Sequence, residues 1–410
     1  MGCFPNDFFA EADVTLRRVE SEDLAEEAAQ PLNIARRTVK DLRIRRPIVT
    51  ADWERLLLYS HRVRTLYLVN YIGAASASTS AFYDVCLALP GSHIFPNLWH
   101  LQIDLTSAYQ DSQPARIIPF LLAPGIQKLA ISLAHSDRAS HFLLAIPQWC
   151  PSVTCLEISN WDDGDIQSGS ALVQNLAQIR ELYAHKLNQQ AMEYLRRLPT
   201  LRTWSIEDPT VEFLIDDQDD EAHSYSSLTS LKFGHPRIER VTEFLKIVRN
   251  CSLQRLNIGS VEGETATAAR MTTVFSTLAA QCSHTSLRTI RHQTRSFSNP
   301  DPTFYALTGR IIRPLFCFKN MVSVSICQPC GLDITNNDVL HLAAAWPFLE
   351  FLLLAGFDHV PSWVTLHALS VLARFFHCPF LPMQPLSPPC GRRFPVTHWN
   401  TPTDVFCGKA

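Results

Sequence analysis

One short pattern recurs eleven times along this chain: an apolar residue, two others, an apolar residue, one other, and an apolar residue. The copies begin 22 to 35 residues apart. Side chains alternate along a β-strand, so each copy predicts a strand with one apolar face. The apolar positions are Val63-Leu66-Leu68, Leu98-Leu101-Ile103, Ile126-Leu129-Ile131, Val153-Leu156-Ile158, Ile179-Leu182-Ala184, Leu201-Trp204-Ile206, Leu228-Leu231-Phe233, Leu253-Leu256-Ile258, the weaker Leu287-Ile290-His292, Met321-Val324-Ile326 and Leu349-Leu352-Leu354.

Several copies also share a proline just before the strand. The sequences FPNLWHLQI at 95–103, CPSVTCLEI at 150–158, LPTLRTWSI at 198–206 and WPFLEFLLL at 346–354 have it. Proline fixes φ and lacks an N–H group, so we expect it to end the preceding helix and preset an extended lead into the strand.

The segments between copies have the apolar spacing of amphipathic helices. We predict helices over 237–250, 265–282, 335–345 and 362–377, with Thr335 capping the third. Strands alternating with helices at this interval are the signature of a leucine-rich repeat. One unit cannot bury its own apolar face, so residues 47–378 are predicted to form one continuous array.

The predicted fold class is therefore α/β: a leucine-rich-repeat solenoid, or horseshoe, with parallel strands on the concave face and helices on the convex face. Residues between the apolar positions should point to the concave side and bind a protein substrate or peptide. The candidate protein-binding residues are His100, Gln102, Asp104, Glu157, Glu181, Tyr183, His185, Glu207, Lys232, Arg255, Asn257, Arg291 and Gln293.

Charges on this predicted face are segregated. Carboxylates fall in copies two to six, where Lys128 is the exception, and cations fall in copies seven to nine. A ligand of opposite polarity along its length is one hypothesis. A solvated face with chance clustering is the other. The last strand offers Phe351, Leu353 and Ala355, an apolar end that is either covered by the C-terminal tail or adhesive.

Composition narrows the possible partners and compartments. The net charge is −3 and no stretch of 18 apolar residues occurs, so we expect neither nucleic-acid nor membrane binding. The N-terminus lacks the basic and apolar regions of a secretory signal, which predicts a cytoplasmic or nuclear protein. The 12 cysteines are then expected to be free thiols.

Motifs that carry chemistry are missing from the sequence. Cys327 and Cys330 form a CxxC pair without further zinc ligands nearby, and the acidic run 216–221 lacks the spacing of a calcium loop. There is no phosphate loop, dinucleotide fingerprint or nucleophile elbow. We therefore expect no catalytic residues, no metal and no cofactor, and predict that the chain is not an enzyme.

The two ends differ from the array. Thr50 can cap a helix that seals the first strand, with Trp53 on its buried stripe. In residues 1–46, Leu24, Leu32, Ile34, Val39 and Leu42 could form one or two short amphipathic helices. Residues 379–410 are predicted to be irregular, because seven prolines lie between 379 and 402.

Two stretches carry a family resemblance: DWERLLLYSHRVRTL at 52–66 and RPLFCFKNMVSVSICQPCGLDITNNDVLHLAAAWPFLEFLLLAGF at 313–357. They resemble the basidiomycete F-box-like leucine-rich-repeat proteins, a fungal family, over roughly residues 46 to 378. In that family an N-terminal F-box precedes the array. Residues 1–46 lack the family's Leu-Pro opening, so the F-box is expected to be absent or degenerate.

The resemblance implies a function as well as a fold. In the family, the F-box docks on the adaptor of a cullin–RING ubiquitin ligase and the repeats choose the substrate. The chain would then be a protein-interaction module and the substrate-recognition component of an F-box-type ligase. A leucine-rich-repeat scaffold or regulator with no ligase link is the alternative.

Overall fold

The computed structural model describes most of the repeat region and two short N-terminal strands. The described residues are 9–16, 37–44, 50–69, 93–104, 118–132, 139–159, 166–207, 225–234, 236–249, 251–259, 267–293, 305–328, 332–356 and 364–375. The chain divides into two units, Met1–His377 and Cys378–Ala410, and the described residues all belong to the first. The acidic run 216–221, Cys330 and the predicted tail 379–410 lie outside them.

Eleven strands form one parallel sheet, and each pairs with the strand that follows it in the repeat. The strands are β3 (Thr65–Val69), β4 (His100–Asp104), β5 (Lys128–Ser132), β6 (Cys155–Ser159), β7 (Glu181–Ala184), β8 (Thr203–Ile206), β9 (Ser230–Phe233), β10 (Arg255–Gly259), β11 (Thr289–Gln293), β13 (Ser323–Gln328) and β15 (Phe351–Gly356). All eleven predicted copies are confirmed, each as a strand at the expected position.

Helices connect many of these strands. They are α1 (Thr50–Ser60), α2 (Ala139–Trp149), α3 (Ile166–Gln174), α4 (Gln189–Arg197), α5 (Ile238–Ile247), α6 (Ala268–Gln281), the short α7 (Gly309–Ile312), α8 (Asn336–Ala345) and α9 (Leu366–Phe375). A 3-10 turn, Arg313–Cys317, follows α7. Two short strands, β12 (Leu307–Thr308) and β14 (Leu332–Asp333), pair in parallel beside the array.

The four predicted helices are present, and three are several residues shorter than expected. The third begins where predicted, because Thr335 and Asp338 form a capping box in which each side chain bonds the other's backbone N–H. At the N-terminus, α1 begins at Thr50 itself, so Thr50 is its first residue and not the residue before it. Trp53 of α1 is buried as predicted.

One N-terminal expectation is wrong. Val39 and Leu42 lie in strand β2 (Arg37–Ile44), which pairs antiparallel with β1 (Phe9–Leu16), and not in a helix. The β2 sequence RTVKDLRI contains three β-branched residues, Thr38, Val39 and Ile44, which favour an extended chain. Leu24, Leu32 and Ile34 lie outside the described residues.

A backbone ladder joins the eleven strands at their N-terminal ends. We call the residue immediately before each strand its lead residue. In all ten strand pairs, the lead carbonyl of one strand accepts two N–H groups of the next strand, from its lead residue and its first residue, over 2.7 to 3.1 Å. For example, the carbonyl of Arg180 accepts from Arg202 and Thr203. The ladder holds neighbouring strands in register without stagger, as in the pairing of His100 with Lys128.

A tight turn before the lead residue explains the recurrent proline. In five copies the N–H of the first apolar residue donates to the carbonyl three residues earlier, and proline is the second residue of that turn. In one copy Val153 donates to Cys150 across Pro151. Proline's fixed φ suits this position. Proline therefore follows the helix end, as predicted, but shapes a tight turn and not an extended lead.

The core lies on one face of the sheet, between strands and helices. Strand residues alternate between buried and partly exposed, for instance in β4 and β5. The ring of Phe244 in α5 packs edge-on against Trp204 of β8 and Phe233 of β9, with centroids 5.1 and 5.5 Å away. Tyr225 completes this aromatic cluster and donates from its hydroxyl to the carbonyl of Met192 at 3.1 Å. The helices therefore cover the apolar sheet face and leave the other open.

A histidine occupies one buried position in the otherwise apolar column. His292 pairs in register with Ile258 and Ile326, and it is fully buried although its copy of the pattern is weak. The side-chain amide of Gln328 donates to Nε2 of His292 over 2.7 Å. Burial lowers the pKa of His292 to about 4, against a smaller opposing effect of the Ile258 backbone. The imidazole is therefore neutral at pH 7, and the fold contains a buried group that resists protonation.

Gly259 lies close to the backbone that follows the neighbouring strand β9. A Cβ there would overlap the carbonyl oxygen of Gly234, which is backbone and cannot swing away. We predict that Gly259→Ala lowers the free energy of unfolding by about 1 to 3 kcal/mol. The matched control is Gly125→Ala, whose Cβ would meet only the Leu98 carbonyl at an ordinary 3.6 Å. This control should change the free energy of unfolding by less than about 0.5 kcal/mol. Urea unfolding followed by circular dichroism measures both, and equal losses would contradict the account.

A pH dependence follows from His292. As pH falls below about 6.5, the unfolded chain takes up a proton at this histidine and the folded chain does not. Stability is therefore full above that pH and is lost as pH falls toward the folded-state pKa of about 4. Between about pH 7 and pH 5 the wild type should lose about 2 kcal/mol more than the double variant His292→Ile with Gln328→Leu. Equal pH dependence of the two proteins in urea unfolding would show that His292 is not the responsible group.

Candidate functional site

The open face of the sheet consists of three rows of outward side chains. The ladder sets these rows, because register without stagger places equivalent positions of successive strands side by side, about 4.8 Å apart. The first row begins at Thr65, His100 and Lys128, and the second at Tyr67, Gln102 and Ala130. The third row is formed by the fifth position of each copy's strand, such as Asp104 paired with Ser132.

The structure places all thirteen predicted binding residues on this open face. None of them is fully buried, and they alternate along the chain with the buried apolar positions. His185 and Glu207 directly follow β7 and β8, and their side chains meet, with Nδ1 of His185 2.7 Å from Oε2 of Glu207. All thirteen side chains therefore face outward, and their binding of a partner stays a prediction.

An acidic patch occupies the part of the open face on β6, β7 and β8. Glu157, Glu181 and Glu207 contribute its carboxylates. Burial raises the pKa of Glu157, the cation of Lys232 lowers it by a smaller amount, and the carboxylate of Glu207 raises it further. Tyr183 stands among these groups, and burial together with the charges of Glu181 and Glu157 raises its pKa to about 12. The tyrosine hydroxyl is therefore a neutral donor beside carboxylates at pH 7.

A basic patch follows on β9, β10 and β11. Lys232, Arg255 and Arg291 are all exposed, and Nη2 of Arg291 donates to Oε1 of Gln293 at 3.3 Å. The third row is bare beside β9 and β10, because Gly234 and Gly259 occupy it there. Lys232 and Arg255 therefore have no third-row side chain of their own strand beside them, and the carbonyl oxygen of Gly234 fills the place that a Cβ of Gly259 would take.

The two ends of the open face are apolar or aromatic. On β15, Phe351 and Leu353 are 44% and 39% exposed, so within the described residues this apolar end is uncovered. At the other end, Tyr67 of β3 is 58% exposed and the lead residue Trp99 is 37% exposed. Sequence reasoning missed Tyr67 and Trp99. The signal for Tyr67 was an aromatic residue at an outward position of the first copy, the same kind of position that selected Tyr183.

Groups suited to metal or redox chemistry are few where the structure can be described. The described residues include no group of three or more His, Cys, Asp or Glu side chains that could hold a metal ion. Cys327 lies half-buried in β13, and burial raises the pKa of its thiol. Within the same ranges, no helix has the length and apolar character needed to cross a membrane.

Comparisons with known proteins give structural similarity only. No protein-family model matches the chain, and no curated protein matches it. Among solved structures, it is similar to the leucine-rich repeat-containing protein LegL7 from Legionella pneumophila, with 13% identity, a TM-score of 0.39, and coverage of 76% of this chain and 97% of that one.

Two further structures share the likeness. The internalin inlF from Listeria monocytogenes is 14% identical, with a TM-score of 0.31 and coverage of 80% of this chain and 88% of that one. TLR13 in its complex with ssRNA13 is 13% identical, with a TM-score of 0.30 and coverage of 74% and 50%. The fold assignment rests on the sheet itself. Eleven parallel strands in repeat order, alternating with helices on one face, make this chain an α/β leucine-rich-repeat solenoid.

Proposed function

We propose that this chain is a protein-interaction module that binds a partner protein across the open face of its sheet. The observation that carries the proposal is the segregation of charge on a rigid surface: an acidic patch on β6 to β8 beside a basic patch on β9 to β11. A sheet whose strands are held together by backbone hydrogen bonds loses little conformational entropy when a partner binds to it. Binding residues held on such a scaffold are preorganised.

The electrostatics specify the partner's polarity. The carboxylate of Glu157 responds to both Glu207 and Lys232, so the acidic and basic patches act on each other across the face. A partner that presents a cation to the acidic patch relieves the repulsion among Glu157, Glu181 and Glu207. One that also presents carboxylates to Lys232, Arg255 and Arg291 has opposite polarity along its length. Such complementarity fixes orientation and raises the association rate.

A finer proposal is that the chain is the substrate-recognition component of an F-box-type ubiquitin ligase. The support is the resemblance of residues 52–66 and 313–357 to the fungal F-box-like leucine-rich-repeat family. In this role, the open face would hold the protein substrate. The N-terminal segment 1–46 would contact the adaptor of the ligase.

A scaffold or regulator with no ligase link is the second candidate, and one observation favours it. An F-box is a three-helix module, whereas the described residues of the segment 1–46 lie in two antiparallel strands, β1 and β2. Partner binding on the open face would be unchanged in this case, and only the adaptor contact would be missing. The proposal that the chain is no enzyme applies to both candidates.

One capture experiment tests both levels. The full chain, a chain starting at residue 47, and the variant Lys232→Glu with Arg255→Glu and Arg291→Glu are immobilised and exposed to cell extract supplemented with the adaptor. The control variant reverses three exposed cations elsewhere, Arg197, Lys246 and Arg310, and so has the same net charge. Circular dichroism first establishes that each protein is folded.

We expect the open-face variant to lose partner proteins that the full chain and the control variant retain. Identical partner sets for the open-face variant and the full chain would contradict the binding proposal. We expect the adaptor to be retained by the full chain and lost by the chain starting at residue 47. If the full chain fails to retain the adaptor, the ligase role is wrong and the scaffold role stands.

A further inference from the structure

An ordered aromatic and cationic cluster lies where the open face begins. We call it the aromatic ledge and define it as Arg64, Tyr67, Trp99, His100 and Lys128. The rings of Tyr67 and His100 meet edge to face with centroids 5.3 Å apart, and Trp99 lies 5.8 Å from His100. These contacts hold two large exposed aromatic side chains in fixed positions. Binding to them costs less side-chain entropy than binding to loose ones.

The ledge is cationic as well as aromatic. Nζ of Lys128 lies 5.4 Å from the centre of the Trp99 ring, and the exposed guanidinium of Arg64 reaches the carbonyl of Asn97. Burial and the nearby charge of Lys128 lower the pKa of His100, so its ring is neutral at pH 7. Among the described residues of β3, β4 and β5, Asp104 is the one carboxylate, and it lies about 13 Å along its strand from His100.

Such a combination is typical of interface hot spots. Tyrosine, tryptophan and arginine are the residues that most often dominate binding energy, because a large ring buries apolar area while its polar group keeps a partner. Around the ledge, the described residues in the first and third rows of the open face are mostly small or polar. The rings of Tyr67 and Trp99 therefore form an exposed aromatic surface at this end of the face.

We propose that the aromatic ledge anchors a partner-protein segment in which an apolar side chain is flanked by carboxylates. The apolar side chain packs against the exposed rings of Tyr67 and Trp99, and the carboxylates meet Arg64 and Lys128. This inference rests on the proposed function and refines it. The partner's charge then alternates along the array: acidic at the ledge, basic at the acidic patch on β6 to β8, and acidic again at the basic patch on β9 to β11.

A single-stranded nucleic acid is the rival ligand, since its bases stack on aromatic rings and its phosphates pair with cations. The charges that follow the ledge favour a protein. A strand that continued along the open face would bring its phosphates against Glu157, Glu181 and Glu207. A peptide can change the sign of its charge from residue to residue, and a phosphate backbone cannot.

The test selects ligands without assuming a partner. The full chain is used to enrich a random peptide library, and the peptides obtained are synthesised and measured by fluorescence anisotropy. Two ledge variants, Trp99→Ala and Lys128→Glu, are compared with two controls of the same kind, Leu144→Ala on α2 and Lys319→Glu before β13. Both control side chains are exposed and lie outside the ledge. A labelled oligouridylate serves as the nucleic-acid probe.

We expect enriched peptides that combine an apolar residue with neighbouring Asp or Glu. Each ledge variant should weaken their binding by about ten-fold or more, and each control by less than about two-fold. The proposal is overturned if no peptide is enriched, if the peptides lack carboxylates, if the ledge variants bind as well as the wild type, or if the oligouridylate binds more tightly than the peptides. Peptides that resist the ledge variants but are lost on Arg255→Glu with Arg291→Glu would refute the ledge and leave open-face binding intact.

Discussion

A single backbone carbonyl that accepts two consecutive N–H groups recurs at every junction between strands of the main sheet. It lies just before one strand and fixes where the next strand begins. A strand displaced by one residue would lose both bonds and turn its apolar residues to solvent. The ladder and the apolar pattern therefore specify the same register, and that agreement between local and long-range interactions makes an array of short strands sufficient for folding.

The open face inherits its order from this ladder. Because no strand is staggered, residues 22 or more positions apart in sequence become neighbours in a row, as Glu181 and Thr203 do. Charges that are scattered in the sequence become patches, and the carboxylate of Glu157 on β6 responds to the cation of Lys232 on β9. The same regularity restricts the sequence where neighbouring backbones lie close together: Gly259 has no room for a side chain beside Gly234. The fold thus supplies a rigid surface, and outward residues are left to specify the ligand.

The sequence predicted the sheet well, because the apolar spacing of each strand is set by local alternation and repeated eleven times. It predicted helix ends less well, because capping decides them: Thr335 and its capping box set one start correctly, whereas the apolar stripe of 237–250 continues past Ile247, where α5 ends. The helix predicted at Val39 and Leu42 was wrong, because two apolar residues three positions apart fit one face of a helix as easily as a strand with apolar residues on both faces. The turn around each proline was also missed, because proline favours both an extended lead and the second position of a tight turn, and only the first was predicted.

The sequence predicted which strand positions face outward, but it did not identify every residue of the candidate site. Lys128 looked like an exception to the acidic half, and the structure explains it as a neighbour of Trp99. Trp99 itself precedes its strand and so belongs to no alternating row, which is why spacing alone could not select it. Its exposure depends on the turn and the ladder, and these are features of the assembled sheet.

Continuity of the ladder is the claim on which the open face depends, and amide hydrogen exchange measures it most directly. If the ladder is continuous, the paired amides at the start of each interior strand exchange slowly together, including those of Arg202 and Thr203 at the middle of the array. Exchange of the Arg202 and Thr203 amides at the rate of an unstructured chain, while β7 and β9 stay protected, would contradict a single continuous sheet.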